Sequence, residues 1–271
     1  MLEYLHYDFF IRALAAVLFI SLSGAAIGTY IIARRLVAVC GGITHACFGG
    51  LGLGYFLGIS PVAGAAAFAL ASSAGVEWAS QRFRLRQDSA IAVVWALGMA
   101  LGVLFVFLTP GYVPELNTFL FGNILTVTGD DLIAFGIFTA VTMAFTAWQY
   151  RRIVAVAFDC DFATVIGLPV RFISYTMTVL VAICIVLTIR AVGIMMLMSV
   201  LSLPMITAEI WCRRFGSIMA ASAVLSLLCC AGGLFLSTVI DVPCSALIVL
   251  LMVAVFAVAR LVRAGTKAAV L

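Results

Sequence analysis

Apolar runs long enough to cross a bilayer recur along the chain at about 9–33, 37–58, 61–81, 89–108, 130–149, 171–189, 192–211, 216–238 and 244–262. Each holds roughly 20 residues, which at helical rise matches the hydrocarbon core. The pattern predicts an all-α fold: a polytopic transmembrane bundle of eight or nine spans forming a single domain over 1–271. Repeated small residues four apart, Gly24 with Gly28 and Gly98 with Gly102, predict closely packed helices. The second run, 37–58, carries a glycine face at Gly50, Gly54 and Gly58.

The breaks between runs are informative. Residues 110–132, PGYVPELNTFLFGNILTVTGDDL, are too polar and too interrupted by proline and glycine for a span. They read either as a segment that dips partway and lines the outer mouth of a cavity, or as an external loop. Between 150 and 171, YRRIVAVAFDCDFATVIGLPVR reads as a short helix. Asp159 suits its N-cap, Asp161 its first turn and Gly167 its C-terminal position, while Pro169 prevents continuation. Its Phe158, Phe162, Val165 and Ile166 suit a groove on another protein or the surface of the inner leaflet. In the seventh run, Pro204 is expected to interrupt the helix, with Ser199, Ser202 and Thr207 offering hydroxyls nearby.

Composition sharpens this picture. The chain has 271 residues, 66% hydrophobic and 10% charged, far more apolar surface than a soluble core hides. No basic leader precedes the first run, which is therefore expected to remain in the mature protein. With the N-terminus outside, the inner face receives thirteen of the fifteen basic residues, from Arg34 and Arg35 to Lys267, leaving only Arg12 and Arg190 outside. That bias predicts an inner-membrane protein with a cytoplasmic C-terminus. The net charge of +4 thus reports orientation and carries no nucleic-acid signal. The eight cysteines lack Cys-x-x-Cys spacing and read as small core fillers, although Cys40 and Cys47 flank a histidine.

That histidine, His45, lies ten residues beyond Arg35, about 15 Å along a helix and close to the midplane. An ionisable group at this depth is expensive and points to a pathway; imidazole suits zinc, iron and manganese. A histidine that only bonds two helices is the alternative. Glu209 is the nearest acid in kind, but it lies four residues from Arg213. It reads as a helical ion pair or as a ligand at an inner gate. Glu77 reads as a snorkelling or paired surface charge. A P-loop is excluded, because Lys267 is the only lysine, and no hydrolytic constellation exists. No enzyme activity is expected, and energy would come from another subunit.

Four segments in order carry a resemblance to the membrane permease subunit of bacterial ABC transporters for zinc, manganese or iron. They are Arg34, Arg35, His45, Ala46 and Gly50; LFGNIL at 120–125; AFDCDFATVIGL at 157–168; and VGIMMLMSVLSLPMITA at 192–208. The resemblance implies a homodimer around a central path through which a divalent metal passes, with no permanently bound cofactor. It implies a cytosolic ATP-binding subunit docked on the 157–168 helix through Phe158, Asp159, Asp161, Phe162 and Gly167. An extracytoplasmic metal-binding protein would feed the path, which Thr44, Asn123, Ser202 and Pro204 are expected to line. The segment before the histidine usually reads Gly-Asp-Ala-x-Ser-His-Ala in that family, and here the aspartate position is Gly41. Asn123 likewise stands where an aspartate is frequent. An ion-coupled secondary transporter is the rival, but it calls for acids near the midplane, and the runs contain none there.

Overall fold

The computed structural model describes residues 7–83, 87–110 and 122–268, whose regular elements are all helical. Ten α-helices follow in order: α1 Asp8–Ala33, α2 Val37–Leu57, α3 Pro61–Phe83, α4 Gln87–Leu108, α5 Gly129–Trp148, α6 Tyr150–Phe158, α7 Cys160–Val165, α8 Val170–Glu209, α9 Phe215–Ile240 and α10 Cys244–Ala268. Eight segments are long and apolar enough to cross a membrane, and α8 supplies two of them. The third expected run, 61–81, falls within α3, whose stretch Pro61–Val76 is apolar.

Helix α8 has 40 residues, about 60 Å at helical rise and twice the thickness of a hydrocarbon core. It is divided at Gly193, whose φ of 75° and ψ of 169° are not helical. The expected interruption at Pro204 does not occur: the helix continues through it to Glu209. Only glycine adopts the Gly193 conformation at low cost, which puts the break there and not at the proline. Gly122 closes over this bend. A Cβ on Gly122 would lie 2.2 Å from the Gly193 nitrogen. Gly193→Ala is therefore expected to cost about 1–3 kcal/mol, read as a lower melting temperature of the purified protein in detergent.

Ends of helices gather in two sets. Phe9, residues 122–125, Ala191, Val192 and residues 241–245 surround one cavity, whereas Ile32–Arg35, Ala157, Phe158 and Glu209 surround another. The two halves of α8 therefore run in opposite directions between the two ends. Arg263 stands over the Trp211 ring, and Arg34 reaches the Val156 carbonyl, so the arginines collect at the second end. The first holds Asp8, Asp130, Asp131 and Asp241.

α1, α2 and α8 form the middle of the bundle, with Phe10, Ile27, Tyr30, Ile43, Ile185 and Leu197 fully buried. α4 and α10 bury little and turn apolar side chains outward, as lipid-facing helices do. Several serine and threonine hydroxyls are absorbed within the bundle: Thr29 donates to the Ala25 carbonyl, and Thr139 bridges to the Phe19 carbonyl of α1. α2 packs against its neighbours nearly backbone to backbone, Gly50 on Gly64, Gly49 on Gly98 and Gly52 on Gly102. Gly58, expected on this packing face, instead ends α2 with φ of 67° and touches nothing within 4 Å of its would-be Cβ.

Candidate functional site

His45 is the ninth residue of the 21-residue α2, about 12 Å from its first residue. Its ring stacks on Trp95 of α4, with centroids 4.5 Å apart and planes 4° from parallel. The side chain is half-buried, and Nδ1 is enclosed without a hydrogen-bond partner among the described residues. Small residues make the stack possible. Gly98, three positions after Trp95, lies against Ala46, so α4 approaches α2 closely enough for the two rings to meet. Trp95 was not singled out in the sequence. Its place one turn before the Gly98/Gly102 pair is the signal that could have found it.

Thr44 is fully buried beside His45; its Oγ1 donates to the Cys40 carbonyl at 2.8 Å and stands 3.9 Å from Sδ of Met198. Met198 belongs to the second half of α8 and fills the space beside Gly41. A Cβ on Gly41 would lie 2.9 Å from Met198 Cε. Ser202, one turn further along α8, is half-open and donates to the Met198 carbonyl at 2.6 Å. Pro204 is buried. Thus Thr44 and His45 stand together at mid-depth, with Ser202 on the neighbouring helix, while Pro204 is turned into the bundle. Cys40 and Cys47 are enclosed in the core.

Asn123 lies away from this group, at the acidic end. With Gly122, Asp241, Ser237 and Ser245 it lines a cavity of about 550 Å³. Its Oδ1 accepts from the Leu125 amide at 3.1 Å and caps a 3₁₀ turn over Ile124–Thr126. Thr128 and Asp131 then form a reciprocal capping box that starts α5. The stretch 111–121, part of the segment expected to dip or loop, lies outside the described residues.

Glu209 is at the opposite end, the last residue of α8 and exposed. The expected ion pair with Arg213 is absent among the described residues, because α8 stops at Glu209 and Arg213 no longer follows at helical spacing. Glu209 instead borders a cavity of about 590 Å³ with Arg34, Arg35, Ala157 and Phe158. The side chain of Glu77 lies outside the described residues. No group of three or more His, Cys, Asp or Glu side chains able to hold a metal occurs among the described residues, so His45 does not by itself complete a closed site.

The short helix expected between Asp159 and Gly167 is α7, and a second helix, α6, precedes it, the two meeting at Asp159. Asp159 Oδ1 accepts from the Phe162 amide at 2.9 Å and caps α7. Asp161 falls in its first turn. At the other end Gly167 takes φ of 78°, its amide bonds to the Thr164 carbonyl, and the Leu168 amide reaches the Ala163 carbonyl. These paired bonds form a Schellman stop. Ala163 is buried, while Phe158, Phe162, Val165 and Ile166 are each more than half exposed. Arg34 holds this unit to the α1–α2 corner through the Val156 carbonyl and the Cys160 Sγ. α6 escaped the sequence reading because its nine residues are too few and too mixed to stand out from a loop.

Spanning helices with a half-open histidine at mid-depth, and a capped apolar helix projecting at the arginine-rich end, define a polytopic membrane subunit of the transporter class. Residues 6–263 match the ABC 3 transport family, and the chain belongs to that family. It is 34% identical over 249 residues to a probable metal transport system membrane protein of Chlamydia pneumoniae, covering 90% of this chain and 84% of the relative. It is 26% identical over 257 residues to the manganese transport system membrane protein MntC of Listeria monocytogenes, covering 95% and 91%. The fold is similar to that of a solved chain of PsaBC from Streptococcus pneumoniae in complex with Fab, with a TM-score of 0.83, 24% identity, and coverage of 95% of this chain and 94% of that one.

Proposed function

We propose that this chain is the permease subunit of an ATP-driven importer that moves a divalent transition metal ion across the bacterial plasma membrane. The observation that carries the metal assignment is His45, an imidazole left half-open at the middle of a spanning helix with an unpartnered nitrogen. The metal-transport relatives support the same reading. The chain itself performs no chemistry; a separate cytosolic subunit hydrolyses ATP, and an extracytoplasmic metal-binding protein delivers the ion to the cavity bordered by Asn123 and Asp241. The arginine-rich end faces the cytoplasm, as does the C-terminus.

A second copy completes the path. The second half of α8 leaves Met195, Met198, Ser199, Ser202, Ile206 and Glu209 at least partly uncovered along one face. The Ser199 and Ser202 hydroxyls on that face suit a wetted seam between two subunits, which Glu209 would meet at its cytoplasmic end. Motion of the ATPase reaches the spans through α7, which Arg34 ties to the start of α2.

The experiment is uptake into proteoliposomes holding the permease with its partner ATPase, with zinc, manganese or iron(II) outside the relevant face. ATP-dependent uptake is expected. Uptake that ignores ATP and follows an imposed ion gradient would overturn the reading. Docking has its own test. Asp159→Lys removes the cap of α7 and adds a positive charge at a helix N-terminus, a cost of about 1–2 kcal/mol to that helix. Stimulation of the partner ATPase is expected to fall severalfold, while the permease still elutes as a folded protein from size exclusion. Unchanged stimulation would exclude α7 as the docking element.

A further inference from the structure

Donor chemistry at mid-depth narrows the ion. Among the described residues every aspartate and glutamate lies within about two turns of a helix end or outside the helices. None stands level with His45. The thiols of Cys40, Cys47 and Cys184 are at that depth but closed into the core. The partly open side-chain donors near that depth include the His45 imidazole, the Met198 thioether and the hydroxyls of Ser199 and Ser202, with the Met195 and Met99 thioethers on α8 and α4 as the further sulfurs. Both serines donate their protons to α8 carbonyls, Met195 at 3.2 Å and Met198 at 2.6 Å, which leaves only neutral oxygen lone pairs for a cation.

Met198 packs against α2 at Gly41 and Thr44, the first one helical turn before His45 and the second its neighbour in the chain. Gly41 and His45 are four residues apart on α2 and so share a face. The Met198 methyl reaches over Gly41, and its sulfur stands beside Thr44. A side chain at position 41 would occupy the volume that the thioether now fills.

We infer that the ion crossing at His45 is borderline-soft, zinc in preference to manganese, with the Met198 thioether as the second protein donor from each subunit. This rests on the reading of His45 as a pathway residue. Manganese binds nitrogen and sulfur donors weakly and depends on carboxylate oxygen, whereas zinc accepts imidazole and sulfur readily. A site made of imidazole, thioether and neutral hydroxyls offers manganese no anionic oxygen.

The test is ATP-driven uptake by the reconstituted complex from an equimolar mixture of zinc and manganese, for the parent chain, Met198→Leu, and the double variant Gly41→Asp with Met198→Ala. Leucine keeps the methionine volume without the sulfur, so the fold is expected to persist, checked by elution volume. The parent is expected to favour zinc, and Met198→Leu to lower the zinc-to-manganese ratio about tenfold, the scale of losing one supporting interaction at a metal site. The double variant clears the space and adds a carboxylate, and is expected to gain manganese uptake. ATP-driven uptake that favours manganese in the parent overturns the inference while leaving the importer assignment intact. An unchanged ratio in Met198→Leu overturns the role of the thioether. Absence of ATP-driven uptake of either ion removes both readings together.

Discussion

His45→Ala is expected to lower metal uptake at limiting metal by at least about tenfold, equivalent to about 1.4 kcal/mol of lost interaction with the ion in transit. Alanine removes the only imidazole in the spanning part of the bundle, and it also removes the partner of the Trp95 ring. The two effects separate in His45→Phe. Phenylalanine preserves a ring against Trp95 and offers no ligand nitrogen. If the histidine holds metal, both variants lose uptake. If it only packs, His45→Phe keeps uptake at unchanged apparent affinity. The half-open side chain and the enclosed, unpartnered Nδ1 favour the first outcome, since a histidine kept for packing would be expected to satisfy both nitrogens.

Much of the scaffold can be read from the chain because its signals are local. Arg34 and Arg35 separate α1 from α2, and a Gly-Ile-Ser-Pro sequence at 58–61 separates α2 from α3. Asp159, Gly167 and Pro169 mark the limits of the projecting helix, since capping and stopping depend on a few adjacent residues. The exchange of roles between Pro204 and Gly193 was less visible. A proline inside a packed helix can be accommodated, whereas a backbone angle open only to glycine cannot be inferred without the bend that requires it. The pairing of Glu209 with Arg213 fails for a similar reason: its spacing has meaning only if the helix continues. Met198 and Thr44 are 154 residues apart, and Trp95 is 50 residues from His45. Such pairings arise from how three helices pack, which no run of neighbouring residues announces.

That packing gives the second large effect. Gly50→Ala is expected to destabilise the permease by about 1–3 kcal/mol or more, although it adds a single methyl group. The new Cβ would lie 2.2 Å from the Gly64 carbonyl oxygen, a backbone atom that no rotamer change can move. α2 cannot simply back away, because its other side is closed against α4 through Gly49 on Gly98 and Gly52 on Gly102. Separation from α3 would therefore press α2 into α4 and disturb the His45–Trp95 stack. Gly75→Ala, one turn before the polar end of α3, provides the matched control. Nothing lies within 4 Å of a Cβ there, so the same methyl is expected to stabilise the helix by about 0.5–1 kcal/mol. Melting temperatures of the two purified variants in one detergent should move in opposite directions from the parent. Equal shifts would mean that helix propensity alone governs both glycines and that α2 and α3 do not meet backbone to backbone.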